Sequence, residues 1–471
     1  MTSVASSSLT ALVLAAGQGT RMKSHRPKVL HPLCGRPLLY YPLRAAFDAG
    51  ASHAVIVTSG NRDIESEIAL HFPREQLSFV VQEPARGTGD AARIGLERIQ
   101  SEQVLIVYGD TPLLRAEDLA RLVESVSDPE GFVLSLLSCE LDEPRGYGRV
   151  LRNAAGQVLE VREDRDLRDA GERAVREVNA GVYAAKTEAL RQVVARIRPD
   201  NAQREYYLTD AVRLVGEGRA AALLGDVDAL LGVNDRAQLW EAEERMFARI
   251  RRRHALSGVT FVGDARVDDS VELGVDVVVE AGVRLRGKTR VGAGTLIDVG
   301  CVLDGVDVGE HAVIKPYSVM SASEVGSKAQ IGPFSHLRPE SRIEEGAHLG
   351  NFVETKKTRI RKGAKANHLA YLGDADVGEN ANVGAGVIFC NYDGYQKHRS
   401  VIGEGAFIGS DSQIVSPVTI GKGAYVGTGT TVTQDVPEDA LAIGRAKQEN
   451  KLGYAPKIRA RFKAARDAKK T

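Results

Sequence analysis

From about Val267 onward, a small aliphatic recurs at every sixth position, usually followed by glycine or an acid and then, three places on, by a small residue. The clearest run is Val291-Gly292-Ala293-Gly294-Thr295-Leu296-Ile297-Asp298, and it returns at Ile402–Gly409 and Ile420–Gly427. A period of six with one inward aliphatic per unit predicts short strands wound into a triangular coil, each aliphatic stacking on its equivalent one coil away. Such a solenoid buries its core only against neighbouring coils, which is why the pattern must continue over many repeats. An ordinary β-sandwich predicts strict alternation instead, and the six-residue phase does not fit it.

The first half has a different rhythm. Apolar runs at Leu9–Ala16, Ala54–Thr58, Leu77–Val81 and Val104–Tyr108 alternate with amphipathic stretches. That order predicts an α/β domain with a mostly parallel, doubly wound sheet. Ligands of such sheets lie beyond the carboxyl ends of the strands. Between the halves, Leu239, Ala242, Met246 and Ile250 are spaced by threes and fours, predicting one long amphipathic helix. The expected division is 1–234, a helix at 235–257, the coil at 258–455 and a basic tail at 456–471.

A length of 471 residues suits two or three domains. Lys plus Arg equals Asp plus Glu at 62 each, so no global field draws the chain to nucleic acid or an anionic membrane; neither is an expected partner. Cys34, Cys139, Cys301 and Cys390 are scattered without a CxxC pair, against a disulfide framework or zinc site. No basic leader with a long apolar stretch is read at Met1–Thr10, and the expected compartment is the cytoplasm.

Chemistry concentrates after the first strand, in Leu14-Ala15-Ala16-Gly17-Gln18-Gly19-Thr20-Arg21-Met22 and the Pro27-Lys28 that follows. Gly17 and Gly19 let backbone amides approach a phosphate chain, Arg21 can fork onto phosphate oxygens, and Lys28 adds a point charge. The spacing is neither the Walker A nor the dinucleotide GxGxxG pattern.

This string resembles the fingerprint of the sugar-phosphate nucleotidyltransferases, and implies a Rossmann-like α/β domain. In that resemblance Gln82, Gly87 and Thr88 read the base, and Tyr108-Gly109-Asp110 is a strand-end motif with a metal-binding Asp. Gly148, Glu163, Asn179 and Thr209 look like acceptor-sugar contacts, and Asn234 like the second metal ligand. The chemistry would be nucleotidyl transfer from UTP, with Mg²⁺ on Asp110 and Asn234 while Arg21 and Lys28 offset phosphate charge. Taken alone, an Asp after a strand is a common turn residue and Asn234 could cap the next helix.

In the coil, three segments depart from the repeat: Leu337-Arg338-Pro339 with Asn351–Lys357, then Asn367–Asp374, and Cys390–Lys397, which breaks the phase and must bulge. Together with the front half, they resemble the bacterial family that joins N-acetylglucosamine-1-phosphate uridylyltransferase to glucosamine-1-phosphate acetyltransferase, across essentially the whole chain. That resemblance implies a left-handed parallel β-helix of hexapeptide repeats and production of UDP-N-acetylglucosamine, a precursor of peptidoglycan and lipopolysaccharide. It implies His368 as general base, and Arg338, Lys356 and Lys397 on the sugar phosphate. Tyr371, Asn382 and Asn391 would align the sugar. Ala385, Asn391, Tyr392, Ser410, Thr428 and Arg445 would lie along acetyl-CoA, Thr428 standing where a smaller residue is more usual. A homotrimer is implied, with acetyl-transfer sites between neighbouring coils. The competing readings are a single-activity nucleotidyltransferase with an idle coil and a non-catalytic coil protein, and a histidine can also be purely structural.

Overall fold

In the computed structural model, residues 9–17, 19–128, 130–230 and 232–468 are described; Met1–Ser8 and Gln18, both part of the sequence readings above, and residues 469–471 of the tail lie outside them. The chain divides into two compact units, Met1–Arg252 with Val267–Ser270, and Arg253–Arg266 with Val271–Thr471.

The first unit is built on a twisted sheet. Its elements in chain order are β1 (Leu9–Ala15), α1 (Tyr40–Asp48), β2 (His53–Thr58), β3 (Leu77–Val81), α2 (Thr88–Leu96), β4 (Gln103–Tyr108), α3 (Ala116–Glu124), β5 (Leu134–Glu140), β6 (Arg149–Arg152), β7 (Val158–Arg162), β8 (Glu177–Lys186), α4 (Thr187–Val194), β9 (Ala220–Leu224) and α5 (Arg236–Leu256). The strand order is β9-β5-β8-β4-β1-β2-β3, with β6 and β7 paired to each other beside β8. β1 lies parallel to β2 and β4. All seven residues of β1 are buried, because helices cover both faces of the sheet. One core joins Leu39, Leu43, Leu119 and Leu122 to one face; the other joins Leu96, Leu190 and Val193 to the opposite face.

β8 departs from the parallel pattern read in the sequence, running antiparallel to both β4 and β5. Orientation is not encoded in a strand's apolar run when both of its faces are covered. It follows from the route of the chain, which goes out through the β6–β7 hairpin before returning.

The second unit is the coil. Three sheets of eleven, ten and nine short strands, all in parallel register, form its sides, the arrangement of a left-handed β-helix. Val279, Ile297, Ile314, Ile331 and Leu349 stack in successive coils and are completely buried. Where glycine follows the aliphatic it is a close approach: a Cβ on Gly292, after Val291, would stand 2.7 Å from the Glu310 amide nitrogen. Asn382 pairs forward with Phe407, a longer step than that from Lys365 to Asn382, so the phase break leaves the coil as a loop after Cys390, which itself still pairs with Val415. Beyond the last strand, Leu441–Ala442, a helix at Tyr454–Asp467 is exposed throughout.

Candidate active sites

In the first unit, Gly19 is left-handed (φ 60°), and a Cβ there would lie 2.5 Å from Lys28 Cβ. Glycine therefore lets the Lys28 stem cross the loop, and its ammonium pairs with the Asp110 carboxylate just past β4. The Asp110 carbonyl accepts from the Val233 amide at 2.8 Å, drawing the 232–234 segment alongside. Arg21 Nη2 donates to Asn234 Oδ1 at 2.8 Å. Helix α5 is capped not by Asn234 but by its neighbours. The Gln238 amide donates to Asp235 Oδ1 (2.9 Å) and the Asn234 amide to Gln238 Oε1 (2.8 Å), leaving the Asn234 side chain for Arg21. Two cations and two hard oxygen donors from three distant stretches thus share one strand-end cleft. Beside this group the Leu14 carbonyl accepts from the Gly109 amide at 3.0 Å, and a Cβ on Gly109 would stand 3.2 Å from the Ala15 methyl.

Gln82 is buried, and its Nε2 donates to the Gly87 carbonyl and to Asp90 Oδ2, each at 3.0 Å. Both amide hydrogens are committed, so Oε1 is the atom left to accept from a base. Gly87 is left-handed (φ 108°), and a Cβ would stand 2.6 Å from the Tyr206 carbonyl. Thr88 Oγ1 accepts from the Leu208 amide at 3.1 Å and bonds the Tyr108 phenol, which burial pushes up.

Further along, the Thr209 hydroxyl donates to Glu163 Oε1 at 3.1 Å. A Cβ on Gly148 would lie 3.5 Å from both Glu163 oxygens, so that glycine keeps the carboxylate open. Burial raises the Glu163 carboxyl above its ordinary value, partly offset by Thr209. Asn179 is partly spent on its own strand: its amide donates to the Tyr183 hydroxyl (2.7 Å) and accepts from the Gly181 amide (2.9 Å). A cavity of about 580 Å³ lined by Glu163, Tyr207, Thr209, Asp210 and Arg213 adjoins this carboxylate.

In the second unit, register aligns the other residues. Asn351 pairs with His368, Ala366 with Val383, Val383 with Ile408 and Ile408 with Val426, so Asn351, His368, Ala385, Ser410 and Thr428 stand in one column at one corner of the coil. The column is tied by the Asp411 amide on the Ala385 carbonyl, the Gly429 amide on the Ser410 carbonyl, and the Arg445 guanidinium on the Thr428 carbonyl. His368 is exposed, with Nδ1 2.9 Å from Asn351 Oδ1.

Across the adjoining sheet side the cations gather. The Lys356 ammonium is lowered chiefly by Lys397 beside it and further by Arg338, against the opposing pull of Asp374. Arg338 Nη1 donates to Glu354 Oε1 at 2.9 Å. Asn391 is buried and donates through Nδ2 to Asp374 Oδ2 at 2.6 Å; the His398 amide donates to its carbonyl at 2.8 Å, fastening the loop at both ends. Tyr392 and Lys397 bridge within that loop, and Tyr392 donates to the Gly394 carbonyl. A Cβ on Gly373 would meet both the Tyr371 hydroxyl and Asn391 Nδ2 at 2.5 Å, so these two polar groups converge over a bare backbone. Asn382 sits in register one coil beyond Lys365, half-exposed.

Sequence reasoning assigned no role to Asn351, Glu354 or Asp374. The signal was present, since 17 residues separate Asn351 from His368 and Asp374 from Asn391, one coil each. Among the described residues, no group of three or more His, Cys, Asp and Glu side chains could hold a metal, and no helix is long and apolar enough to cross a membrane.

Cations and oxygen donors gathered at the strand ends of an α/β sheet, followed by a hexapeptide coil with a corner column that includes His368 and a cluster of cations, define the class of a two-part transferase. Comparison agrees by parts and as a whole. The MobA-like NTP transferase domain matches residues 11–178, and the bacterial transferase hexapeptide repeats match residues 399–434. The chain is 57% identical to the Bifunctional protein GlmU of Sorangium cellulosum, over 97% of this chain and 98% of that one. It is 47% identical to that of Anaeromyxobacter sp. strain Fw109-5 (96% and 93%) and 42% to that of Geobacter sulfurreducens (95% and 98%). The chain belongs to the family of bifunctional GlmU proteins and is both a uridylyltransferase and an acetyltransferase.

Proposed function

We propose that the chain makes UDP-N-acetylglucosamine in two steps, with residues 258–455 N-acetylating glucosamine-1-phosphate from acetyl-CoA and residues 1–234 then coupling the product to UTP with release of pyrophosphate. The observation that carries this reading is the column at the coil corner. An idle coil has no use for an imidazole placed one coil below Ala385 and continued by Ser410, Thr428 and Arg445.

In the acetyl site His368 takes the proton of the 2-amino group, Arg338, Lys356 and Lys397 hold the sugar phosphate, and Tyr371, Asn382 and Asn391 align the ring. The acyl donor runs along Ala385, Asn391, Tyr392, Ser410, Thr428 and Arg445.

In the uridylyl site the nucleophile is already an anion, so the barrier is repulsion between phosphates. Asp110 and Asn234 would hold Mg²⁺: each already turns a hard oxygen toward a cation, the donor chemistry that ion prefers. Bound there, Mg²⁺ supplies charge neutralisation between the two phosphates. Arg21 and Lys28 exchange their protein partners for nucleotide phosphate oxygens, while Leu14, Ala15, Ala16, Gly17, Gly19, Tyr108 and Gly109 shape the cleft floor. Gln82 Oε1 accepts the N3–H of uracil beside Gly87 and Thr88. Gly148, Glu163, Asn179 and Thr209 receive the acetylated sugar.

The working form is a cytoplasmic homotrimer. Tyr317, Phe334 and Phe352 stack face to face at 5.5 and 5.4 Å in successive coils, each about half exposed and each left-handed, with φ between 55° and 58°. Large residues in that conformation cost of order 1 kcal/mol each. An exposed apolar ladder bought at that cost, whose Phe352 directly follows Asn351 and which Leu369 continues after His368, supports a neighbouring coil as its cover.

One assay tests the two activities together. The protein is incubated with glucosamine-1-phosphate, acetyl-CoA, UTP and Mg²⁺, each omitted in turn, while free thiol and pyrophosphate are followed separately. Thiol release should persist without UTP, and pyrophosphate should need every component; nucleotide sugar formed from N-acetylglucosamine-1-phosphate with no thiol release under any condition would leave the coil a spacer.

A further inference from the structure

The imidazole proposed as the base presents two nitrogens, and one is already engaged. His368 Nδ1 lies 2.9 Å from Asn351 Oδ1, an atom that can only accept. Nδ1 therefore carries the hydrogen, and the lone pair is left on Nε2. The contact is built into the backbone: Asn351 and His368 are partners in the parallel register, and the next residues, Phe352 and Leu369, turn the corner in left-handed conformations (φ 58° and 46°). Behind the pair, a Cβ on Gly350 would run into the Asn367 carbonyl, so the two strands approach as closely as backbone allows.

Resting on the acetyl-transfer reading above, we infer that Asn351 is a positioning residue for that reaction: it fixes the Nδ1–H tautomer of His368 and aims Nε2 at the substrate amine. The amine nitrogen forms its bond to the thioester carbonyl carbon as its proton passes to Nε2. The carbon–sulfur bond then breaks, and the proton leaves the imidazolium with the departing thiolate. Asn351 touches no reacting atom. The other charged groups around the pair are His348 and Lys365 on the same two strands and Lys315 further down that sheet; burial, and then repulsion from Lys315, Lys365 and His368, holds His348 below its ordinary value.

The test uses the full-length protein, with uridylyl transfer as the internal control. Asn351→Ala should lower kcat of acetyl transfer about 10- to 100-fold with KM for both substrates within about twofold, as expected for a group orienting another. Asn351→Asp, isosteric at a half-exposed position, keeps an acceptor and places a negative charge beside Nδ1. It should recover much of the rate and move the acid limb of the kcat–pH profile upward, because a carboxylate favours imidazolium. If Asn351→Asp leaves that limb where the parent has it, or Asn351→Ala acts within twofold of the parent while His368→Ala is inactive, the inference is wrong. An active His368→Ala would instead overturn the base assignment itself.

Discussion

Arg21 and Asn234 stand 213 positions apart in the sequence and meet through one 2.8 Å hydrogen bond. With Lys28 on Asp110, that bond pairs two cations with the two candidate metal ligands. Arg21→Ala should lower uridylyl transfer about 100- to 1000-fold, the usual loss when a donor to developing charge is removed. Acetyl transfer by the same preparation should be unchanged, and parallel thiol and pyrophosphate assays check both halves of the statement.

Glu163 is held above its ordinary carboxyl value by burial, so the folded chain binds its proton more tightly than the unfolded chain does. Its contribution to stability is present at acid pH and is lost as pH rises through the folded value. Glu163→Gln should therefore raise the Tm of the first unit relative to the parent, with the gain growing from about pH 4.5 toward neutrality. The same variant should raise KM for N-acetylglucosamine-1-phosphate about tenfold, the worth of one charged hydrogen bond. Scanning calorimetry across pH and initial rates decide these; a gain largest at low pH would reverse the sign.

Gly292 has no room for a methyl group, since the Glu310 amide nitrogen would be 2.7 Å away. Gly292→Ala should cost the coil about 1–3 kcal/mol, as overpacking does. Thermal inactivation should show acetyl transfer failing at lower temperature than in the parent while uridylyl transfer keeps its curve.

Phe334 is stacked between Tyr317 and Phe352 on the exposed corner. Phe334→Asp puts a charge in the middle of the surface proposed to meet a second coil. Light scattering should show the proposed trimer dissociating, with acetyl transfer falling at least tenfold and uridylyl transfer retained. A trimer that persists with full activity would place the interface elsewhere.

By itself the sequence determined the coil, because a six-residue period admits one packing: Val279, Ile297 and Ile314 had to stack, and the phase break at Cys390–Lys397 had to leave the stack as a loop. It also pointed to phosphate handling in the loop from Gly17 to Lys28, where glycines expose backbone amides beside two cations. What it left open was direction and partnership. The antiparallel placement of β8 depends on the route of the chain, which apolar runs do not record. Taken alone, Asn234 could also cap the next helix, and in the structure Asp235 takes that duty. Asn351 and Asp374 lay in segments that depart from the repeat but carried no role there, and only the register that lays one coil on the next set them against His368 and Asn391. Hydrophobic periodicity fixes which faces turn inward; which polar atoms meet outside depends on register and turn geometry, and these are settled only when the whole stack is assembled.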